Sequence, residues 1–227
     1  MLEKIIVGVV GTANTGKTTM IGDVVSANEN CRDREMKWTI FGKDYRKTIE
    51  ERGLAINRGG NEECQQVIHD TLLQNAIDAA NERSLKRIVM DRTVLDSFAY
   101  TYWLYRNKAC SVSKETIELM WEQVVRFSRL YSAIIYIPLS KCGEVKVVDD
   151  HFRDTDSSYR KDIDDIFAAE FVALSRRGVG MRVVYGDREK RVNWFYSIER
   201  ELTLSGQLGR ADFEGCLSEV KSGRRVF

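Results

Sequence analysis

The stretch Gly11-Thr12-Ala13-Asn14-Thr15-Gly16-Lys17-Thr18-Thr19 constrains this chain more than any other. Gly11, Gly16, Lys17 and Thr18 fill the fixed positions of the pattern Gly-x-x-x-x-Gly-Lys-Ser/Thr, in which a glycine-rich turn lets backbone N–H groups close around phosphate oxygens. Its surroundings agree. The run Ile5-Ile6-Val7-Gly8-Val9-Val10 before it has the length and β-branched content of a buried strand, and residues 18–27 after it read as a helix. A loop between strand and helix directs the positive end of the helix at an anion. The expected roles follow: the loop from Gly11 to Thr19 holds the β- and γ-phosphates of a nucleoside triphosphate, Lys17 neutralises them, and the Thr18 hydroxyl ligates Mg²⁺.

Composition narrows the rest. A chain of 227 residues that is 43% apolar can bury one sizeable core. With 35 Lys plus Arg against 34 Asp plus Glu, a net charge of +1 excludes a protein that coats nucleic acid by charge alone, though a local basic groove is compatible with it. The cysteines at 31, 64, 110, 142 and 216 are scattered without a Cys-x-x-Cys pair, so neither a zinc site nor a disulfide framework is expected. The short apolar run at the N-terminus leads straight into the loop. It resembles neither a signal peptide nor a membrane span, and a soluble cytoplasmic chain is the expectation.

Downstream the pattern alternates. Residues 37–41 are the second strand, 62–82 a long helix with Ile68, Leu72, Ala76 and Ala80 on one face, and 86–91 a third strand ending in Asp91. A helix rich in aromatics follows, then one capped by Ser113 with Ile117, Met120, Val124 and Phe127 inward. Residues 133–139 and 181–185 are the fourth and fifth strands, and 191–204 a closing helix. Strands alternating with helices imply an α/β fold, a parallel sheet covered on both faces with its ligands at the carboxyl ends of the strands. That edge gathers Asp44 and Arg46 after strand two, Asp91 and Arg92 after strand three, and Arg153 and Arg160 in the charged segment 149–165, which has the character of a lid over phosphates. The acid spacing there is not a calcium loop, because Tyr159 stands where such a loop turns on glycine. His69 and His151 have no partner recognisable from sequence.

Phosphoryl transfer requires chiefly positioning, a metal and positive charge over the migrating group. Asp91 has two readings: it holds Mg²⁺, or, with Arg92 beside it on a phosphate, it takes a proton from an acceptor hydroxyl. Asp91-Arg92-Thr93 is similar to the Asp/Glu-Arg-Ser motif of deoxynucleoside kinases and the Asp-Arg motif of thymidylate kinases. With Asp96 closing Asp-Arg-Thr-x-x-Asp, and Arg-Asp-Thr-Asp-x-x-Tyr-Arg from Arg153 to Arg160, the chain resembles P-loop kinase-like ATPases that include the NadR-type ribosylnicotinamide kinase domain. The resemblance implies a P-loop kinase fold, with a five-stranded sheet of order 2-3-1-4-5 over residues 1–204 and 205–227 as an extension. It implies ATP with Mg²⁺, Lys17 and Thr18 on phosphate and metal, and Asp91 and Arg92 toward the acceptor; Asp96 of the motif, and Asp44 and Arg46 by their place at the strand edge, are the further substrate-side candidates. Arg153 and Arg160 become lid arginines. Compact kinases of this kind occur in phages that phosphorylate hydroxymethylated pyrimidines within DNA. The expected partner is therefore a nucleoside, a nucleotide or modified DNA, with no membrane. A homodimer is compatible, and a nucleotide-driven ATPase switch is the reading from another class.

Overall fold

The computed structural model describes residues 4–142 and 154–205; Arg153, His151 and residues 206–227 lie outside them. Strand β1, Ile5–Val10, is buried along its whole length. It pairs on one side with β3, Arg87–Asp91, and on the other with β4, Ala133–Tyr136. Strands β2, Thr39–Ile40, and β5, Met181–Val183, form the edges, giving a parallel sheet of order β2-β3-β1-β4-β5. Both faces are covered, which is why β1 is continuously apolar where a half-exposed strand would alternate. Helices α1 (Lys17–Ala27) and α7 (Arg188–Ser205) pack on one face around Ile5, Val7, Val9 and Ile135. The other face carries Ile6, Val10, Ile88 and Met90 under α3 (Glu62–Asn81), α4 (Val94–Arg106), α5 (Lys114–Phe127) and α6 (Ser157–Ser175). The short α2, Tyr45–Glu51, adds Ile49 to this second core.

Gly8 fixes how closely α4 can approach. A Cβ at Gly8 would lie 2.3 Å from Thr93 Cγ2 and 3.0 Å from the Tyr131 ring, so only glycine lets the start of α4 sit against the central strand. Thr93 then caps α4 in a reciprocal box: its hydroxyl accepts from Leu95 N at 3.1 Å, and Asp96 Oδ2 accepts from Thr93 N at 2.8 Å.

The strands run shorter than the sequence pattern implies. Trp38 leaves the ladder because its backbone N–H donates to Asn28 Oδ1 at 3.0 Å and its indole N–H donates to Glu199 at 3.1 Å. Pro138 lies past the end of β4 and opens a 3-10 turn at Leu139–Lys141, where its missing N–H costs nothing. In the charged segment, Asp156 caps α6 by accepting from Tyr159 N at 2.8 Å, so Arg160 belongs to the first turn of a packed helix. His69, for which the sequence offered no recognisable partner, is buried with both ring nitrogens partnered.

Candidate active site

The loop leaves β1 between the ends of its two neighbours, since Val9 stands opposite Asp91 and Val10 opposite Tyr136. Its turn depends on left-handed backbone at Gly11 (φ 141°), Asn14 (φ 56°) and Gly16 (φ 81°). At Gly11 a Cβ would also meet the Ile137 carbonyl oxygen at 2.7 Å. Lys17 is buried, and its ammonium donates to the carbonyls of Gly11 and Thr12 at 2.6 and 2.7 Å, which stretches it back over the loop. Thr18 is exposed at the mouth and donates its hydroxyl to Asp91 Oδ2 at 2.6 Å. Thr12, Ala13 and Thr15 are buried and build the loop, whereas Thr19 faces outward on α1.

Arginines from two helices hold the loop's outer carbonyls. Arg160 donates from Nε to Ala13 O at 3.2 Å and from Nη2 to Asn14 O at 3.3 Å. Arg191 donates from Nη1 to Thr15 O at 2.7 Å. Sequence reasoning placed Arg160 at the site and missed Arg191, which lies in the first turn of α7 among other charges and carries no motif.

On the other side of Thr18, Asp91 ends β3 and Arg92 follows with φ 85°, a conformation L side chains seldom adopt. This backbone turns the guanidinium between the Tyr45 and Tyr100 rings, 6.0 and 5.8 Å from their centroids, and 3.6 Å from Asp96 Oδ1. Burial works against the charge on Arg92, but Tyr45, Tyr100, Asp96 and Asp91 around it hold its pKa well above the ordinary value. Asp96 is shifted upward by burial, against the opposing pull of Arg92 and Lys17. Asp44 and Arg46 line the same open cleft as Thr18, Asp91 and Arg92. Asp44 also caps α2, its carboxylate accepting from Arg46 N at 3.0 Å. Arg153 falls outside the described residues.

The carboxylate Oδ1 of Asp91 is buried and has no hydrogen-bond partner among the described residues, and it sits on the group that already holds the Thr18 hydroxyl. A hydroxyl beside a carboxylate with an unspent oxygen suits Mg²⁺, which takes few protein oxygens and completes its shell with phosphates and water. No cluster of three or more His, Cys, Asp or Glu side chains suited to a metal occurs among the described residues, so the further ligands would come from the nucleotide and water.

A parallel five-stranded sheet of this order, covered by helices on both faces and carrying the glycine loop on its central strand, is a P-loop kinase-like fold. Solved structures share it. The thymidylate kinase from Candida albicans superposes with a TM-score of 0.62 at 11% identity, over 88% of this chain and 94% of that one. Deoxyadenosine kinase from M. mycoides with bound dATP gives 0.55 at 14% identity, over 86% and 100%. NadR protein in complex with NR gives 0.56 at 14%, over 80% of this chain and 43% of that one; this chain thus spans less than half of NadR. No protein-family model matches the chain, and no curated protein matches it in sequence. Among the described residues, no helix is long and apolar enough to cross a membrane.

Proposed function

We propose that the protein is an ATP-dependent phosphotransferase acting on a nucleoside or nucleotide. The observation that carries this reading is one cleft running from Thr18 of the phosphate loop, past Asp91, to Arg92, Asp44 and Arg46. A nucleotide hydrolase needs only the first half of that arrangement; a transferase needs cationic and acidic groups facing the loop from across the cleft. The kinase neighbours, one of them carrying dATP, support a nucleoside triphosphate as a ligand of the site.

The roles follow from chemistry. Loop N–H groups and Lys17 bind the β- and γ-phosphates, and the ammonium that bonds the Gly11 and Thr12 carbonyls here would exchange those partners for phosphate oxygens. Thr18 and Asp91 would hold Mg²⁺, which when bound neutralises the charge gathering on the transferring phosphoryl oxygens. Asp91 is better placed for that than for proton removal, because one of its oxygens is already taken by Thr18. Arg92, rigid between two rings, is the cation for the acceptor side, either on an acceptor phosphate or on the phosphoryl group as it arrives. Arg160 and Arg191 hold the loop in shape while the charge moves across it.

The test is to incubate purified protein with ATP and Mg²⁺, adding deoxynucleosides, their 5′-monophosphates or hydroxymethylpyrimidine-containing DNA, and to identify products by mass spectrometry. ADP formed only with an added free nucleoside or nucleotide, each turnover yielding one phosphorylated acceptor, is the expected result, with Lys17→Ala inactive. Phosphate appearing on DNA alone would replace the acceptor by a polymer. Steady ATP hydrolysis with no phosphorylated product would replace the transferase by an ATPase switch.

A further inference from the structure

The chain that leaves β2 and enters α2 lines the cleft with Lys43, Asp44, Tyr45 and Arg46. It is fixed at both ends. Phe41 N donates to Val89 O at 3.0 Å, just past the last paired residues of β2 and β3, and Asp44 caps α2. Between these points Gly42, with φ 120°, turns the backbone away from the sheet. The N–H and C=O of Lys43 thereby lose a strand as neighbour and need other partners.

Asn75 supplies both. It is buried on α3; its Oδ1 accepts from Lys43 N at 2.8 Å and its Nδ2 donates to Lys43 O at 3.0 Å. A side-chain amide suits this task because it carries an acceptor and a donor on one planar head, so it pairs with the backbone of one residue much as an adjacent strand would. Gly42 leaves room for it: a Cβ there would lie 2.9 Å from Asn75 Nδ2 and 3.0 Å from its Cγ. The consequences run toward Arg92. Asp44 and Arg46 follow Lys43 directly, and the Tyr45 ring between them is one of the two that flank the Arg92 guanidinium. The phosphate loop is held by other groups, Lys17, Arg160 and Arg191, none of which belongs to α2 or α3.

We propose that Asn75 is the positioning residue of the acceptor side: by clasping Lys43 it sets where Asp44, Tyr45 and Arg46 stand relative to Asp91 and Arg92. It governs acceptor binding through the backbone of Lys43 and leaves the nucleotide side alone. The assignment rests on the kinase reading above.

The test is steady-state kinetics on Asn75→Ala and Asn75→Asp, with the common deoxynucleosides and their 5′-monophosphates as acceptors and ATP affinity read by isothermal titration. For the acceptor that wild type turns over best, both variants are expected to raise the acceptor KM about tenfold at about pH 8 and to keep the ATP Kd within about twofold. Lower pH separates them. Burial raises the pKa of the carboxyl introduced by Asn75→Asp, and once protonated that carboxyl offers an O–H to Lys43 O and a C=O to Lys43 N, as the amide does. Each KM is divided by that of wild type at the same pH, which removes the titrations the proteins share at Asp44, Asp91 and Asp96; Lys43 and Arg46 keep their charge throughout. This ratio should fall back toward one for Asn75→Asp between about pH 8 and about pH 6 and stay flat for Asn75→Ala. Loosened packing alone would weaken ATP binding too and would not be repaired by a proton. An acceptor KM unchanged in both variants, an acceptor KM and ATP Kd that rise by the same factor, or an Asn75→Asp ratio indifferent to pH would overturn the assignment while leaving the kinase reading standing. If Asn75→Ala does not fold, Asn75→Asp decides by the same outcomes. Wild-type protein that binds ATP and phosphorylates none of these acceptors would overturn both.

Discussion

At the scale of single residues, Asp96 joins a structural role to a functional place. One carboxylate oxygen caps α4, and the other, buried near Arg92, has no hydrogen-bond partner among the described residues. Burial raises its pKa, so the folded state holds this proton more tightly than the unfolded chain does. By linkage, the stability that the proton confers is complete below the ordinary carboxylate pKa and is lost as pH rises through the raised one. Asparagine can still accept from Thr93 N and has no proton to lose. The stability of wild type relative to Asp96→Asn should therefore fall steadily from about pH 4 toward neutrality, seen as converging or crossing melting temperatures. A gap that stays constant across that window would mean that Asp96 titrates as an exposed carboxylate does. The place of Asp96 was legible in Asp-Arg-Thr-x-x-Asp, but its environment was not. Nothing in a linear motif says that Arg92 adopts a left-handed backbone and sends its guanidinium between Tyr45 and Tyr100.

At the scale of elements, the phosphate loop is held by α6 and α7 as well as by its own glycines. Spacing disclosed the strand, loop and first helix because that motif is local, and all of its constraints fall within a few residues. The arginine clamp joins Arg160 and Arg191 to Ala13, Asn14 and Thr15 across most of the chain, and no short pattern encodes it. In sequence, Arg191 is one charge among several at the start of α7; in the fold it is buried with Nη1 on Thr15 O. Removing such a donor leaves a buried carbonyl without its partner, which costs about 1–3 kcal/mol. Arg191→Met is accordingly expected to unfold at lower urea by about that free energy and to bind ATP less tightly, since the loop would lose one of its outer supports. A variant with wild-type stability and ATP affinity would show that the glycines and Lys17 suffice to shape the loop.

At the scale of the whole molecule, the sheet order was legible through resemblance and the alternation of strands and helices, and it accounts for why the loop, Asp91 and Asp44 emerge along one edge. How the two arms of the site meet was not legible. The 3-10 turn at Asn57–Gly59, which contributes Asn57 to a cavity lined also by Tyr45 and Arg92 of the cleft, is tied to the start of α6 by Arg58. The Arg58 guanidinium donates to Asp154 from Nε and Nη2 at 2.6 and 3.2 Å, reaches toward Asp156 with Nη1 at 3.7 Å, and lies 5.7 Å from the centre of the Tyr159 ring. Arg160, one residue beyond Tyr159, is on the loop, so a single helical turn joins the clamp on the phosphate loop to the wall of that cavity. Arg58 is half exposed, so salt should screen this tie, and its loss should leave global stability nearly unchanged. Its effect belongs to geometry instead. Arg58→Ala is expected to raise the acceptor KM by less than about tenfold, to leave the ATP KM where it was, and to show less dependence of the acceptor KM on ionic strength than wild type does. Equal changes in the two KM values would place Arg58 in service of the phosphate loop, and an unchanged acceptor KM at low salt would reduce the tie to an ordinary surface ion pair.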